Sequence, residues 1–141
     1  MLIQSNMVFP VWLSQLSSLK KKRMEELWDQ HERMEDAQAF YLEHRVVERV
    51  NSIPLDQLLR RHGLSSLDLL QIDVEGYDYE ILKTLDFDQI RPLFINYERV
   101  LLADTEEECR QMLVGQGYVL MDWGQDTLAI LVDESGSAAP R

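Results

Sequence analysis

The chain has 141 residues, 45% of them apolar and 9% aromatic, enough for one domain with a real hydrophobic core. Fourteen basic against twenty-five acidic residues leave a formal charge of -11, a balance that repels a phosphate backbone and argues against nucleic acid as a partner. A single cysteine, Cys109, excludes an intrachain disulfide and cannot alone make a zinc site, so the expected setting is a reducing one, the cytoplasm.

The opening Met1 to Leu19 is apolar only in patches, interrupted by Gln4, Ser5, Asn6 and Pro10, and its basic run follows it rather than leading it. That order does not suit a secretory signal, and no run approaches the roughly 18 apolar residues that span a bilayer, so no membrane association is expected. From Ser18 to about Phe40 charges alternate in sign while Met24, Leu27, Trp28, His31 and Met34 recur at three- and four-residue steps, the pattern of an amphipathic helix. Lys20-Lys21-Lys22-Arg23 precedes Glu25 and Glu26 at helical spacing and reads as a solvated, ion-paired face. His31 reads as a packing residue, since no cysteine or second histidine stands at metal spacing from it.

Arg45 to Val50 has the β-branched content of a half-exposed strand. A helix follows, with Pro54 at its first position, Leu55, Leu58 and Leu59 on one face and Gly63 as its stop. Leu67 to Val74 is apolar on both alternating faces through Leu69, Leu70, Ile72 and Val74, which predicts a strand inside a parallel sheet covered by helices. Gly76 closes a turn into a helix over Tyr77 to Leu85, and a second buried strand, Pro92 to Tyr97, ends in Glu98. Thr105 and Glu108 have capping-box spacing before a helix from about Glu106 to Val114 that buries Cys109, Met112 and Leu113. Tyr118 to Trp123 and Thr127 to Val132 flank Gly124-Gln125-Asp126, the signature of a hairpin with a loop of about three residues. Glu134 to Arg141 is small and polar and is expected to be disordered, leaving residues 1–132 as one α/β domain and 133–141 as a tail.

In an open α/β sheet the ligand crevice lies beyond the carboxyl ends of the strands. Asp73 and Glu75 close the first buried strand; Glu98, with Asn96 two residues earlier on the same face, closes the second. If the two strands are neighbours, these groups lie around 5 to 10 Å apart, given a strand spacing of about 4.8 Å. Asp73 and Glu75 could instead cap the helix that follows and complement its dipole. Against that, a carboxylate inside an apolar run is costly unless it has a partner, which makes Asp73 a site candidate. Gly76 suits a tight turn as well as a ligand approach, and Tyr77, Asp78 and Tyr79 read as solvated or packing residues. Gly115-Gln116-Gly117 follows a helix and precedes a strand, the reverse of a dinucleotide fingerprint.

The runs Ser52 to Leu59, Asp68 to Leu82 and Arg91 to Glu98 resemble the FkbM methyltransferase pattern. That pattern has a leucine-aspartate-leucine helix, a strand ending lysine-isoleucine-aspartate-valine-glutamate-glycine, and a next strand ending in glutamate. Leu13 to Ser18 also resembles the serine-rich stretch often found upstream, so the resemblance covers most of residues 13 to 132, and the Ile72 to Leu82 block is fairly specific. It implies a partial Rossmann-like class I methyltransferase fold, a mostly parallel sheet ending in an antiparallel β-hairpin. It also implies S-adenosylmethionine as cofactor and methyl transfer to a hydroxyl oxygen of a small or carbohydrate-like acceptor. Asp73 or Glu75 would orient the acceptor or take its proton, and Asn96 and Glu98 would line the acceptor side.

Two departures stand out. Gln71 replaces the usual lysine and removes a positive charge beside Asp73. The family's glycine-rich loop and the acidic residue ending its second strand would fall upstream of residue 13. The chain is therefore expected to be an incomplete copy, without its own cradle for the cofactor. The strand over 67–74 would then have a bare edge, to be covered by Met1 to Leu19, by a second copy of the chain, or by a subunit carrying the cofactor half. A non-catalytic module pairing through that edge is the rival reading. A third reading makes Asp73, Glu75 and Glu98 a Mg²⁺ or Mn²⁺ site, which their small number and the lack of a histidine at ligand spacing disfavour.

Overall fold

The computed structural model describes residue 43, residues 51–133 and residues 135–139. The helix expected over 18–40, with His31, and the strand expected over 45–50 lie outside the described residues.

Helix α1, Leu55–Arg61, begins one residue later than the sequence suggested, with Pro54 in extended conformation as its N-cap. The first-turn amide of Leu55 is satisfied by the Thr84 hydroxyl at 2.9 Å, which ties α1 to the end of the next helix. At the far end Gly63, with φ +65, allows its amide to reach the Arg60 carbonyl and that of Leu64 to reach the Leu59 carbonyl, a Schellman stop. Strand β1, Leu69–Ile72, helix α2, Asp78–Leu82, and strand β2, Phe94–Glu98, are each shorter than their apolar runs. A 3-10 turn at Ala103–Thr105 leads into helix α3, Glu106–Gly115, and then strands β3, Tyr118–Trp123, and β4, Asp126–Leu131.

The described strands form one sheet in the order β1-β2-β4-β3. Only β1 and β2 run parallel; β2 with β4 and β4 with β3 are antiparallel. Over the described strands the sheet is thus mixed rather than mostly parallel, because the hairpin inserts β4 between β2 and β3 and one crossover, through α2, joins the parallel pair. Two local expectations are also corrected. The hairpin turn has two residues, Gly124 and Gln125, since Trp123 pairs with Asp126, and Gly124 supplies the positive φ of 61 that so tight a turn requires. Thr105 is the N-cap of α3 but forms no capping box; its hydroxyl turns back to the Leu102 carbonyl at 2.8 Å within the 3-10 turn.

One face of the sheet carries the core. Ile72, Ile95, Tyr97, Ala129 and Tyr118 cluster with Leu59, Leu82, Leu85, Leu102, Cys109 and Leu113. The Tyr118 hydroxyl donates to the buried Pro92 carbonyl at 2.7 Å, and burial pushes its pKa up to about 12. Cys109 is fully buried and its thiol is pushed up to about 11, which suits a core residue and not a nucleophile.

The other face is different. Cross-strand pairing aligns Leu69, Phe94, Ile130 and Val119 in one row and Gln71, Asn96, Leu128 and Met121 in the next. Leu69 is 54% exposed, Val119 50% and Met121 56%. The apolar alternation of β1 is therefore not matched by burial on both sides.

Candidate functional site

Parallel pairing of β1 with β2 matches Ile72 to Tyr97, so Asp73 and Glu98 follow at the same end of two adjacent strands. Asp73 is exposed, in contrast to the costly burial its apolar surroundings suggested, because β1 ends at Ile72 and the carboxylate has already left the sheet.

The chain then reverses through Val74 to Tyr77, with the Tyr77 amide donating to the Val74 carbonyl at 3.3 Å. Glu75 at φ 53 and Gly76 at φ 85 are both left-handed. Gly76 is required twice over: a Cβ there would lie 2.7 Å from the Leu101 carbonyl oxygen, so the turn packs on the backbone of the segment after β2. For Glu75, a non-glycine residue, the left-handed conformation costs about 1–2 kcal/mol, strain located at a candidate site residue.

Asp78, the first residue of α2, is fully buried, which decides for the packing reading over the solvated one. Its Oδ1 accepts from the Glu98 amide at 3.2 Å, while Oδ2 is buried with no partner among the described residues. Burial raises its pKa, and the amides of Glu98, Asp78 and Val74 pull it partly back. The carboxyl thus clamps the turn after β1 to the end of β2. The one hint in the sequence was an aspartate in the first turn of a helix, which by itself does not distinguish a cap from a clamp.

Asn96 lies on the open face of the sheet. Its Nδ2 donates to Gln71 Oε1 at 3.2 Å and reaches Asp126 Oδ2 at 3.5 Å, so a short polar ladder crosses β1, β2 and β4. Gln71 supplies an acceptor here, which a lysine at that position could not do. Asn96, Glu98 and Asp126 therefore share one end of one face, with Asp73 beside them at the end of β1. Glu75 stands in the turn beyond.

A groove of about 830 Å³ runs along β1 between α1 and α2, lined among others by Leu58, Leu70, Asp73, Tyr77 and Ile81. Of the four residues proposed from sequence, Asp73 borders it. Among the described residues no group of three His, Cys, Asp or Glu side chains could hold a metal ion, and no helix is long and apolar enough to cross a membrane.

A family model described as the methyltransferase FkbM domain matches residues 17–120, more than half of the chain, and the chain belongs to that family. No curated protein and no solved structure matched it. The acidic strand exits have the right charge for the sulfonium and amino groups of S-adenosylmethionine. Among the described residues there is no glycine-rich strand-loop-helix for the cofactor's carboxylate; Gly115 ends α3 and Gly117 stands in the turn before β3, at the opposite end of the sheet from the exits of β1 and β2.

Proposed function

We propose that this chain supplies the acceptor side of S-adenosylmethionine-dependent methyl transfer to a hydroxyl oxygen of a small or carbohydrate-like molecule. The observation that carries this reading is the adjacent parallel exits of β1 and β2, which bring Asp73 and Glu98 to the same end in a chain of the FkbM methyltransferase family. When bound, the cofactor supplies an electrophilic methyl group on a sulfonium. Asp73 or Glu75 would orient the acceptor hydroxyl or take its proton, one of the two serving as base, and Asn96 and Glu98 would line the acceptor side. The test is transfer from radiolabelled S-adenosylmethionine to a panel of sugars and small alcohols. Incorporation that is lost in Asp73→Asn supports the reading, and incorporation unaffected by Asp73→Asn, Glu75→Gln and Glu98→Gln overturns the residue assignment.

The same reading gives the chain a partner at the edge of β1, a second copy or a subunit that brings the cofactor cradle. Among the described strands β1 pairs with β2 alone, and the groove beside it presents Leu58, Leu70 and Ile81. Sedimentation velocity that finds only monomer, alone and in mixture with its genomic neighbours, contradicts this part. The setting we propose is cytoplasmic, since a chain with a single cysteine needs no oxidising compartment to fold.

A further inference from the structure

Trp123, the last residue of β3, is 86% exposed. An indole is a large apolar surface with one polar N–H, and leaving it in water forgoes the gain of burying it. Among the described residues nothing stacks on this ring: the aromatic pair is Phe87 with Tyr118, and the cation over a ring is Lys83 on Tyr79.

The backbone around Trp123 is, by contrast, held on both sides. Asp122 before it accepts from the Arg110 guanidinium at 2.9 Å and from the Thr127 hydroxyl at 2.8 Å. After it, the Gly124 carbonyl accepts from the Arg99 guanidinium at 3.2 Å and the Gln125 carbonyl from the Arg99 amide at 3.0 Å. Loop tips are ordinarily mobile. This one is pinned to the residue that follows Glu98, so the exposed indole is carried by a fixed support, which lowers the cost of ordering it on a ligand.

Its position is the exit end of the sheet. Trp123 pairs with Asp126 and Asp126 with Glu98, all on the open face, with Asn96 in the next row. The indole stands two strand spacings, about 10 Å, from Glu98 and three, about 14 Å, from the level of Asp73. The span between is furnished with oxygens that accept from hydroxyls, those of Asp126, Glu98 and Asn96.

We infer that Trp123 is the stacking platform for a sugar ring, and that the acceptor is a neutral glycan of at least two hexose units. The inference rests on the acceptor role proposed above for the strand exits. A pyranose presents an apolar face of C–H groups to an aromatic ring and a rim of hydroxyls that donate to carboxylates, and this row offers both partners side by side. One ring seated at the exits of β1 and β2 is too short to reach the indole; the next unit of a glycan does reach it. Phosphorylated and uronic sugars are disfavoured by the carboxylates of the row and by the formal charge of -11.

The experiment is fluorine NMR on the full-length chain labelled with 5-fluorotryptophan, without cofactor. Three tryptophans give three resonances, and that of Trp123 is assigned by its absence in Trp123→Phe. Cellobiose, maltose, lactose and diacetylchitobiose are titrated, with their monosaccharides, choline and S-adenosylmethionine in parallel. The expected result is a saturable shift of the Trp123 resonance with at least one disaccharide, whose Kd is at least tenfold below that of its monosaccharides. Trp123→Ala should weaken that binding by about tenfold or more, read from the amide shifts of Asn96 and Asp126, and Trp123→Tyr should keep it within about threefold. No shift with any disaccharide, equal affinity for the monosaccharides, equal response to choline or S-adenosylmethionine, or indifference to Trp123→Ala overturns the inference. A chain that binds a disaccharide at Trp123 and transfers no methyl group contradicts the proposed function alone, whereas one that methylates sugars equally well with Trp123→Ala contradicts only the platform.

Discussion

The Asp78 carboxylate accepts the backbone amide of Glu98 at 3.2 Å, and this one bond joins the turn that follows β1 to the last residue of β2. Both strand exits are thereby held at a common end. Removing the carboxylate leaves the Glu98 amide without that acceptor. Asp78→Ala is therefore expected to destabilise the fold by about 1–3 kcal/mol, measured by urea unfolding.

The same group fixes a pH dependence. Its folded-state pKa is raised above its ordinary value, chiefly by burial, so the folded state holds this proton more tightly than the unfolded chain does. Stability contributed in this way is present at low pH and is lost as pH rises through the raised pKa. Asp78→Asn abolishes the titration. The difference in unfolding free energy between native chain and variant should move in the variant's favour as pH rises from about 3 to about 7. A difference that stays flat or moves the other way would show that the Asp78 proton is not linked to folding.

Asp122 behaves oppositely. The Arg110 guanidinium at 2.9 Å holds its carboxyl below the usual range, assisted by the Thr127 hydroxyl at 2.8 Å. Its contribution is present above the unfolded pKa and is lost as pH falls through the lowered one. Because its side chain is 41% exposed, solvent screening keeps the ion pair's worth to about 1 kcal/mol or less. Arg110→Ala should reduce stability by about that amount at neutral pH and by progressively less in acid, as read from denaturation midpoints.

Gly76→Ala should be among the most damaging small substitutions. It places a side chain at φ 85 and a Cβ 2.7 Å from the Leu101 carbonyl oxygen, a backbone atom that cannot rotate away. A loss of about 2 kcal/mol or more in urea unfolding is expected. Asp73→Asn makes the contrast: the residue is exposed, so stability should change by less than about 0.5 kcal/mol while the proposed transfer rate falls by about 10²- to 10⁴-fold.

The sequence made legible those features that local chemistry determines. Gly63 marked the end of α1 because only a left-handed residue permits the bonds that close it, and Gly124 marked the hairpin for the same reason. The apolar runs around Ile72 and Ile95 located two strands that do pair in parallel. The mixed sheet order was not legible, because the hairpin loop tells that β4 pairs with β3 but no residue in β4 records that its other neighbour is β2. Leu69 misled for a related reason: apolar character was read as burial on both sides, whereas its side of the sheet is open. Asp78 was missed because its partner, the Glu98 amide, lies twenty residues away and carries no side-chain signature.

The placement of the ligand cleft at the exits of β1 and β2 is tested most directly by following the backbone amide resonances of the full-length chain as S-adenosylmethionine is added to millimolar concentration. Saturable shifts confined to residues 73–77 and 96–101 are predicted, weak in affinity and diminished in Asp73→Asn. No shifts, or shifts centred on the distant surface between α3 and β3 around Gln111 and Val119, would contradict it.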